Sequence, residues 1–548
     1  MVTNKFKTSM AVIGLLATFS TLKAQFPAKY WVKFTDKNGS PYSVSTPTAY
    51  LSARSIARRT NQGIAIDITD IPVNQTYINQ VNATGAQVFA RSKWLNAAIV
   101  VVNNATQLAA INSLSCVTSS SPVAKMHKGN TDELSTPTQQ VQRESQITGY
   151  NYGNSFTQNN QLGTPCMHEN GYRGQGMMIG VLDSGFDNVN NNAVFDSLRN
   201  ENRIIATRDI VMGNSSVYED HNHGAMVLSC ISGNTPGELI GTAPKASVVL
   251  IRTEDVFSEK PIEECNWIVG VEYADSLGVD IATTSLGYTS FDSPYTSHTY
   301  ADLDGKTSPM SIAATMAARK GIFVLNAAGN DGNNAWMYIG VPADADSICA
   351  VGAVDGSGVH AGFSSVGPTA DGRIKPDLSS MGQGSYVCAP NGTFMSGNGT
   401  SFATPILAGA VACLWQANPT KTNMQIMQAL KSTASQSASP DNSYGWGIPN
   451  MCAAHNLMNG TSIGIQTLQN DLTISIFPNP ANDIITIDAP LINEVKMYDV
   501  LGKQIEITQY RKTPNQIEIR LDSILANGVY FLSIKADKAQ VTRKFIKE

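Results

Sequence analysis

The sequence predicts an α/β fold: a parallel sheet with helices on both faces, preceded by a small α+β unit and followed by a small all-β sandwich. Three observations carry this. From about residue 151 to 459, strand-length apolar runs alternate with helix-length runs, the pattern of a parallel sheet with crossover helices. One of these runs, 402–415, is helix-length and almost wholly apolar, so it belongs inside a large core. From about residue 471 the pattern changes to short alternating runs separated by turn signals.

Composition agrees. Of 548 residues, 42% are hydrophobic and only 15% charged, against about 25% charged in an average domain. That suits a large interior rich in Gly and Ala. The net charge is −5 with no basic block, so nucleic acid is not an expected partner.

The chain opens as an export signal over 1–24. Lys5 and Lys7 precede an apolar run, 10–19, and Leu22-Lys23-Ala24 ends in a small residue. The run is too short to span a bilayer, and no later run reaches about 18 uninterrupted apolar residues. The expected location is outside the cytoplasm, reached through the periplasm. Export permits disulfides among the eight cysteines. No pair shows CxxC spacing; Cys349 and Cys413 sit in apolar segments as core thiols do, and the pairing is not legible.

Residues 25–117 form the α+β unit, with strands expected at 29–34 and 95–102, a basic helix at 51–59 and a helix at 107–114. Residues 118–150 are rich in Ser, Thr, Gln and Asn and read as an exposed linker open to cleavage. In the central unit, 151–459, strands are expected at 177–182, 246–252, 281–285 and 321–326. Helices are expected at 225–231, 265–277 and 424–431, and from Ser308-Pro309, where Ser caps and Pro fits the first turn. Residues 460–470 form a second polar linker, and 471–548 the β-sandwich.

The chemistry gathers at element ends, where parallel sheets place their sites. Ser401 opens the apolar helix, Asp183 ends a strand, and His223 stands before Gly224 and another apolar helix. A hydroxyl is a weak nucleophile and needs an imidazole to take its proton. The imidazolium then needs a fixed carboxylate. Taken singly, Ser401 reads as a helix cap and Asp183 as a turn former. The order Asp, His, Ser within one α/β unit is a much stronger signal. His221 and His223 lack a third metal ligand at recognisable spacing.

Val181-Leu182-Asp183-Ser184-Gly185, His223-Gly224-Ala225-Met226-Val227 and Gly399-Thr400-Ser401-Phe402-Ala403-Thr404-Pro405 resemble the three signature motifs of the subtilisin-like serine proteases, the subtilases. Gly241-Thr242-Ala243-Pro244-Lys245-Ala246, Phe363-Ser364-Ser365-Val366-Gly367-Pro368 and Tyr444-Gly445-Trp446-Gly447 also have family counterparts. Ala225 departs from the Thr of many members. The resemblance implies a subtilisin-like fold and an Asp183–His223–Ser401 triad cutting peptide bonds through an acyl-enzyme, with protein or peptide substrates. It implies Asn330 as an oxyanion donor with the Ser401 N–H, Ser285-Leu286-Gly287 as the strand that pairs with substrate, Ala327-Ala328-Gly329 as a pocket wall, and Gly340 at the pocket base. Small walls and a glycine floor suggest apolar or aromatic side chains. No cofactor is implied for the chemistry. Asp302-Leu303-Asp304-Gly305 offers oxygens to a structural calcium, as in many subtilases, but lacks the terminal Glu of a full loop, and a solvated turn is the preferred reading.

By position and size the first unit resembles a subtilase propeptide, which implies a zymogen with an intramolecular inhibitor. The tail resembles the C-terminal sorting domain of the type IX secretion system, through Phe477-Pro478-Asn479-Pro480-Ala481, Met497-Tyr498-Asp499-Val500-Leu501-Gly502, Gly528-Val529-Tyr530 and Arg543-Lys544-Phe545-Ile546-Lys547. It implies the type IX machinery as a partner and release or surface attachment. A surface-binding β module is the alternative for the tail, and a catalytically silent adhesin on the same scaffold is the alternative for the whole. Gly460-Thr461-Ser462-Ile463-Gly464 fits a hydrolase pattern but lies in polar linker, and Gly174-Gln175-Gly176 precedes a strand instead of following one, which is wrong for a dinucleotide site.

Overall fold

The computed structural model describes residues 26–125, 150–460 and 475–548, apart from 490–491, 500–502, 514, 522–524 and 537–538. The export signal, residues 126–149 of the first linker, the Ser462 pattern and the Leu501-Gly502 turn lie outside the described residues. Two compact units result, one ending at Asn459 and one beginning at Gly460.

The first unit holds a small module and the large α/β body. The module is a four-stranded antiparallel sheet in the order Gln87–Ser92, Ala97–Val102, Ala28–Phe34, Val117–Lys125. Period-two alternation divides its side chains. Tyr30, Val32, Val100 and Val102 pack with Ile78, Val81 and Ile111 into the module's own core. Trp31, Ala97 and Ile99 face the other way, into a cluster with Ile262, Ile268 and Val271 of the body. Burial on both faces is why 97–102 reads as an unbroken apolar run. The last strand corrects the expected linker. From 118 to 125 the chain is paired with Ala28–Phe34, because Val123 and Ala124 are buried and the edge position tolerates the intervening polar residues.

The body is a seven-stranded parallel sheet in the order Leu378–Met381, Cys349–Val354, Phe323–Ala327, Ile281–Thr284, Met178–Asp183, Ser247–Arg252, Ile204–Asp209. Ile179, Val181, Val248 and Leu250 point to the layer containing helices His223–Ser232 and Thr400–Ala417. Leu182, Val249 and Ile251 point to the layer containing Ile262–Leu277 and Pro309–Arg319. Ser308 caps the last of these by accepting from the Met310 N–H at 3.1 Å. Polar composition at 156–161 conceals a helix, Phe156–Gln161. Its buried Asn159 amide donates to the Ser155 and Ile240 carbonyls at 3.0 and 2.9 Å. Cys166 is bonded to Cys452, while the other six cysteines are free and buried.

The module docks on the helix Ile262–Leu277. Asp275 is fully buried there and takes Arg59 at 2.9 Å, Lys93 at 2.8 Å and Arg58. Burial alone would push its carboxyl up, but Lys93, Arg58 and Arg59 hold it well below the usual range. Glu272 accepts from the Ser92 hydroxyl at 2.5 Å and the Lys93 and Trp94 N–H groups at 2.6 and 3.1 Å, and burial pushes it up to about 7.

The second unit has two four-stranded antiparallel sheets, with Ile485, Ile487, Met497, Ile519, Leu532, Ile534 and Phe545 in its core. This is the expected sandwich.

Candidate active site

Asp183 closes the strand Met178–Asp183 and is fully buried. His223 is the first residue of its helix, and its Nδ1–H donates to Asp183 Oδ1 at 2.8 Å. The next residue must be small. A Cβ on Gly224 would fall 2.3 Å from the Gly185 carbonyl oxygen and 3.0 Å from Asp183 Cβ. Burial pushes the His223 imidazole down, but the Asp183 charge and hydrogen bond outweigh it, and the pKa lies above the ordinary histidine value. Asp183 Oδ1 also accepts from the Ser184 N–H at 2.8 Å, while the buried Oδ2 has no protein donor among the described residues.

Ser401 lies in the first turn of Thr400–Ala417, where N–H groups have no intrahelical acceptor. Pro405 follows four residues later. Proline has no N–H, so the Ser401 carbonyl lacks its helical donor. The Ser285 hydroxyl donates to it instead, at 2.8 Å. The Ser401 hydroxyl donates in turn to the Ser285 carbonyl at 3.2 Å. No hydrogen bond joins Ser401 to His223 among the described residues. The imidazole lies beside Phe402, the residue after Ser401, ring centroids 6.1 Å apart. A serine hydroxyl turns about one bond between alternative acceptors, and such contacts often tighten only with substrate bound.

Asn330 follows the strand Phe323–Ala327 and is exposed. Its Oδ1 accepts from the Thr400 N–H at 2.9 Å and the Thr400 hydroxyl at 3.1 Å. The amide orientation is therefore fixed with Nδ2 outward. A Cβ built on Gly399 would lie 3.9 Å from that Nδ2 and 3.7 Å from Ser401 Cβ, so the amide and the serine are neighbours. Gly329 has φ +115, and a Cβ there would meet Ser365 Oγ at 2.7 Å. Ala327 and Ala328 are buried, and the buried Gly340 donates its N–H to the Ala328 carbonyl at 3.3 Å. Leu286 is half-buried and Gly287 exposed, leaving that backbone segment open at the sheet end.

Several supporting contacts escaped sequence reasoning. Thr400 orients Asn330. Ser285 exchanges hydrogen bonds with Ser401. The Asn326 amide donates to the Leu286 carbonyl at 3.0 Å. In each case the partner lies 40 or more residues away, beyond what a local motif displays. Asp302 and Asp304 serve as turn residues. Asp302 accepts from the Thr299 N–H and hydroxyl, both at 2.7 Å, and Asp304 from the Lys306 and Thr307 N–H groups at 2.8 and 2.7 Å. Both carboxylates thus bond their own chain as turn-forming Asp residues do.

Comparison with known proteins bears on the same segments. The Subtilase family (Peptidase S8) profile matches residues 174–447. Subtilisin NAT of Bacillus subtilis subsp. natto is 31% identical over 300 residues, covering 54% of this chain and 69% of that protein. Subtilisin BL of Lederbergia lenta is 32% identical over 291 residues, covering 53% and 94%. This chain belongs to the subtilase family. The subtilase is a serine endopeptidase, a hydrolase whose family needs no cofactor for catalysis. A Bacteroidota Peptidase S8 propeptide domain matches residues 29–142, and a secretion system C-terminal sorting domain matches 475–548. The subtilase is thus made with a propeptide and sorted for secretion, extracellular or attached at the cell surface.

Proposed function

We propose that Asp183, His223 and Ser401 are the catalytic triad of a secreted endopeptidase made as a propeptide-inhibited zymogen. The observation that carries this is the Asp183–His223 hydrogen bond at 2.8 Å beside an Asn330 amide held next to Ser401. An extended peptide adds along Ser285-Leu286-Gly287 by backbone hydrogen bonds. Its side chain enters between that segment and Ala327-Ala328-Gly329, above Gly340. The Ser401 hydroxyl turns from the Ser285 carbonyl to His223, which takes its proton as the oxygen attacks the scissile carbonyl. Asp183 steadies the imidazolium. Asn330 Nδ2 and the Ser401 N–H hold the oxyanion. His223 then protonates the leaving amine, and water repeats the sequence on the acyl-enzyme.

The domain assignment is signal 1–24, propeptide 25–125, processing linker 126–150, catalytic unit 151–459, linker 460–470 and sorting unit 471–548. Since Val117–Lys125 is held in the module's sheet, cleavage falls beyond Lys125. N-terminal sequencing of the mature form is expected to begin between residues 126 and 150.

A fluorophosphonate probe tests the triad. The processed wild type should be labelled and Ser401→Ala should not. Labelling of neither would leave the adhesin reading; labelling of both would place the nucleophile elsewhere.

A further inference from the structure

His221 stands two residues before the proposed base, on the loop that packs over Gly185. Its Nδ1 lies 2.7 Å from Ser184 Oγ. Ser184 Oγ is in turn 3.1 Å from Asp183 Oδ1, the same oxygen that receives the His223 proton. One hydroxyl proton faces two acceptors. A hydroxyl donating to a carboxylate closes to about 2.5–2.7 Å, so 3.1 Å is long for that bond. A bare Nδ1 on His221 takes that proton along the shorter contact, which leaves the Ser184 N–H and the His223 ring on Asp183 Oδ1.

The surroundings keep His221 able to accept. From the strand Ser247–Arg252, the buried Arg252 guanidinium bonds the Ser184 carbonyl at 3.2 Å and pairs with Asp209 at 3.0 Å and Asp220 at 2.8 Å. The charged and titratable groups around His221 are thus Asp183, His223 and Arg252, Asp187, whose N–H donates to the His221 carbonyl at 3.2 Å, and Glu219 and Asp220 on its own loop. Burial first, then the charges of His223 and Arg252, push His221 below the ordinary histidine value, while Asp183 pulls it partly back.

We propose that His221 is a positioning residue for the triad: by taking the Ser184 hydroxyl proton it withholds a hydrogen bond from Asp183, which keeps that carboxylate a strong partner for the His223 imidazolium. This rests on Asp183 and His223 being the catalytic pair. With no acceptor at 221, the Ser184 hydroxyl swings to Asp183 and stabilises the bare carboxylate. The carboxylate then supports the imidazolium less, and the His223 pKa falls.

The test is the pH dependence of fluorophosphonate labelling of the processed enzyme. His221→Phe should move the acid limb down by about half a pH unit. His221→Asn should restore the wild-type limb, because its side-chain carbonyl reaches the place of Nδ1. In a Ser184→Ala background, His221→Phe should move the limb no further. An unmoved limb in His221→Phe, or an equal shift in the Ser184→Ala background, overturns the proposal. A second measurement needs no variant. Nitrogen-15 spectroscopy of the His221 ring at pH 8 should find Nε2 protonated and Nδ1 bare, and the reverse tautomer overturns the proposal. Labelling that persists in Ser401→Ala is a different result and counts against the triad itself.

Discussion

Asn330 has its side-chain oxygen occupied twice by Thr400, so its amide donors are held in place before any charge develops. A donor fixed in advance costs nothing to reorganise when the oxyanion forms. Asn330→Ala should therefore lower kcat about 10²–10³-fold, a magnitude established on subtilisin itself, with KM little changed. As the proposed base, His223 would set the pH range. Its folded pKa is raised, so the stabilising bond of the protonated ring to Asp183 is fully present below the unfolded value and lost as pH rises through the folded one. Activity runs oppositely, because the base must be neutral. The kcat/KM profile should lose activity on the acid side with a midpoint above the ordinary histidine value, and Asp183→Asn should abolish that raised limb. Asp183, His223, Ser401 and Asn330 were legible because each sits in a short motif at an element end. Ser285 was legible only as substrate backbone. Its hydroxyl completes a carbonyl that Pro405 leaves open, and no local pattern announces a bond across 116 residues.

At the scale of elements, long apolar runs read correctly and polar ones did not. The strand Val117–Lys125 and the helix Phe156–Gln161 look like linker because their buried contacts are few and their polar side chains face solvent or bond backbone. The edge strand Ile204–Asp209 passed unread because most of its residues are only partly buried, which dilutes the apolar run. Helix Ile262–Leu277 carries the propeptide through Asp275, whose charge is balanced by Arg58 and Arg59 on one propeptide helix and Lys93 beyond another segment. Removing one side of a buried pair strands the other, at a cost of about 3–5 kcal/mol. In the uncleaved Ser401→Ala protein, Asp275→Ala should lower the thermal unfolding midpoint by several degrees, and the same change in processed enzyme should have a much smaller effect.

At the scale of the whole molecule, one covalent tie closes the catalytic unit. Cys166 in the helix Thr164–Glu169 and Cys452 in the helix Met451–Met458 bracket nearly the whole catalytic unit, 286 residues apart. Such a pairing was invisible in spacing, because distance along the chain says nothing about which ends meet. Cys166→Ser with Cys452→Ser should lower the unfolding free energy by about 2–4 kcal/mol, measured by denaturant titration. The tie also bears on survival. A protease accumulates among copies of itself, and its exposed turns are substrate to its neighbours. A nick anywhere between residues 166 and 452 divides the chain into two pieces that still share a bond, so a clipped molecule keeps its parts together and its site assembled until a reductant finds the sulfurs.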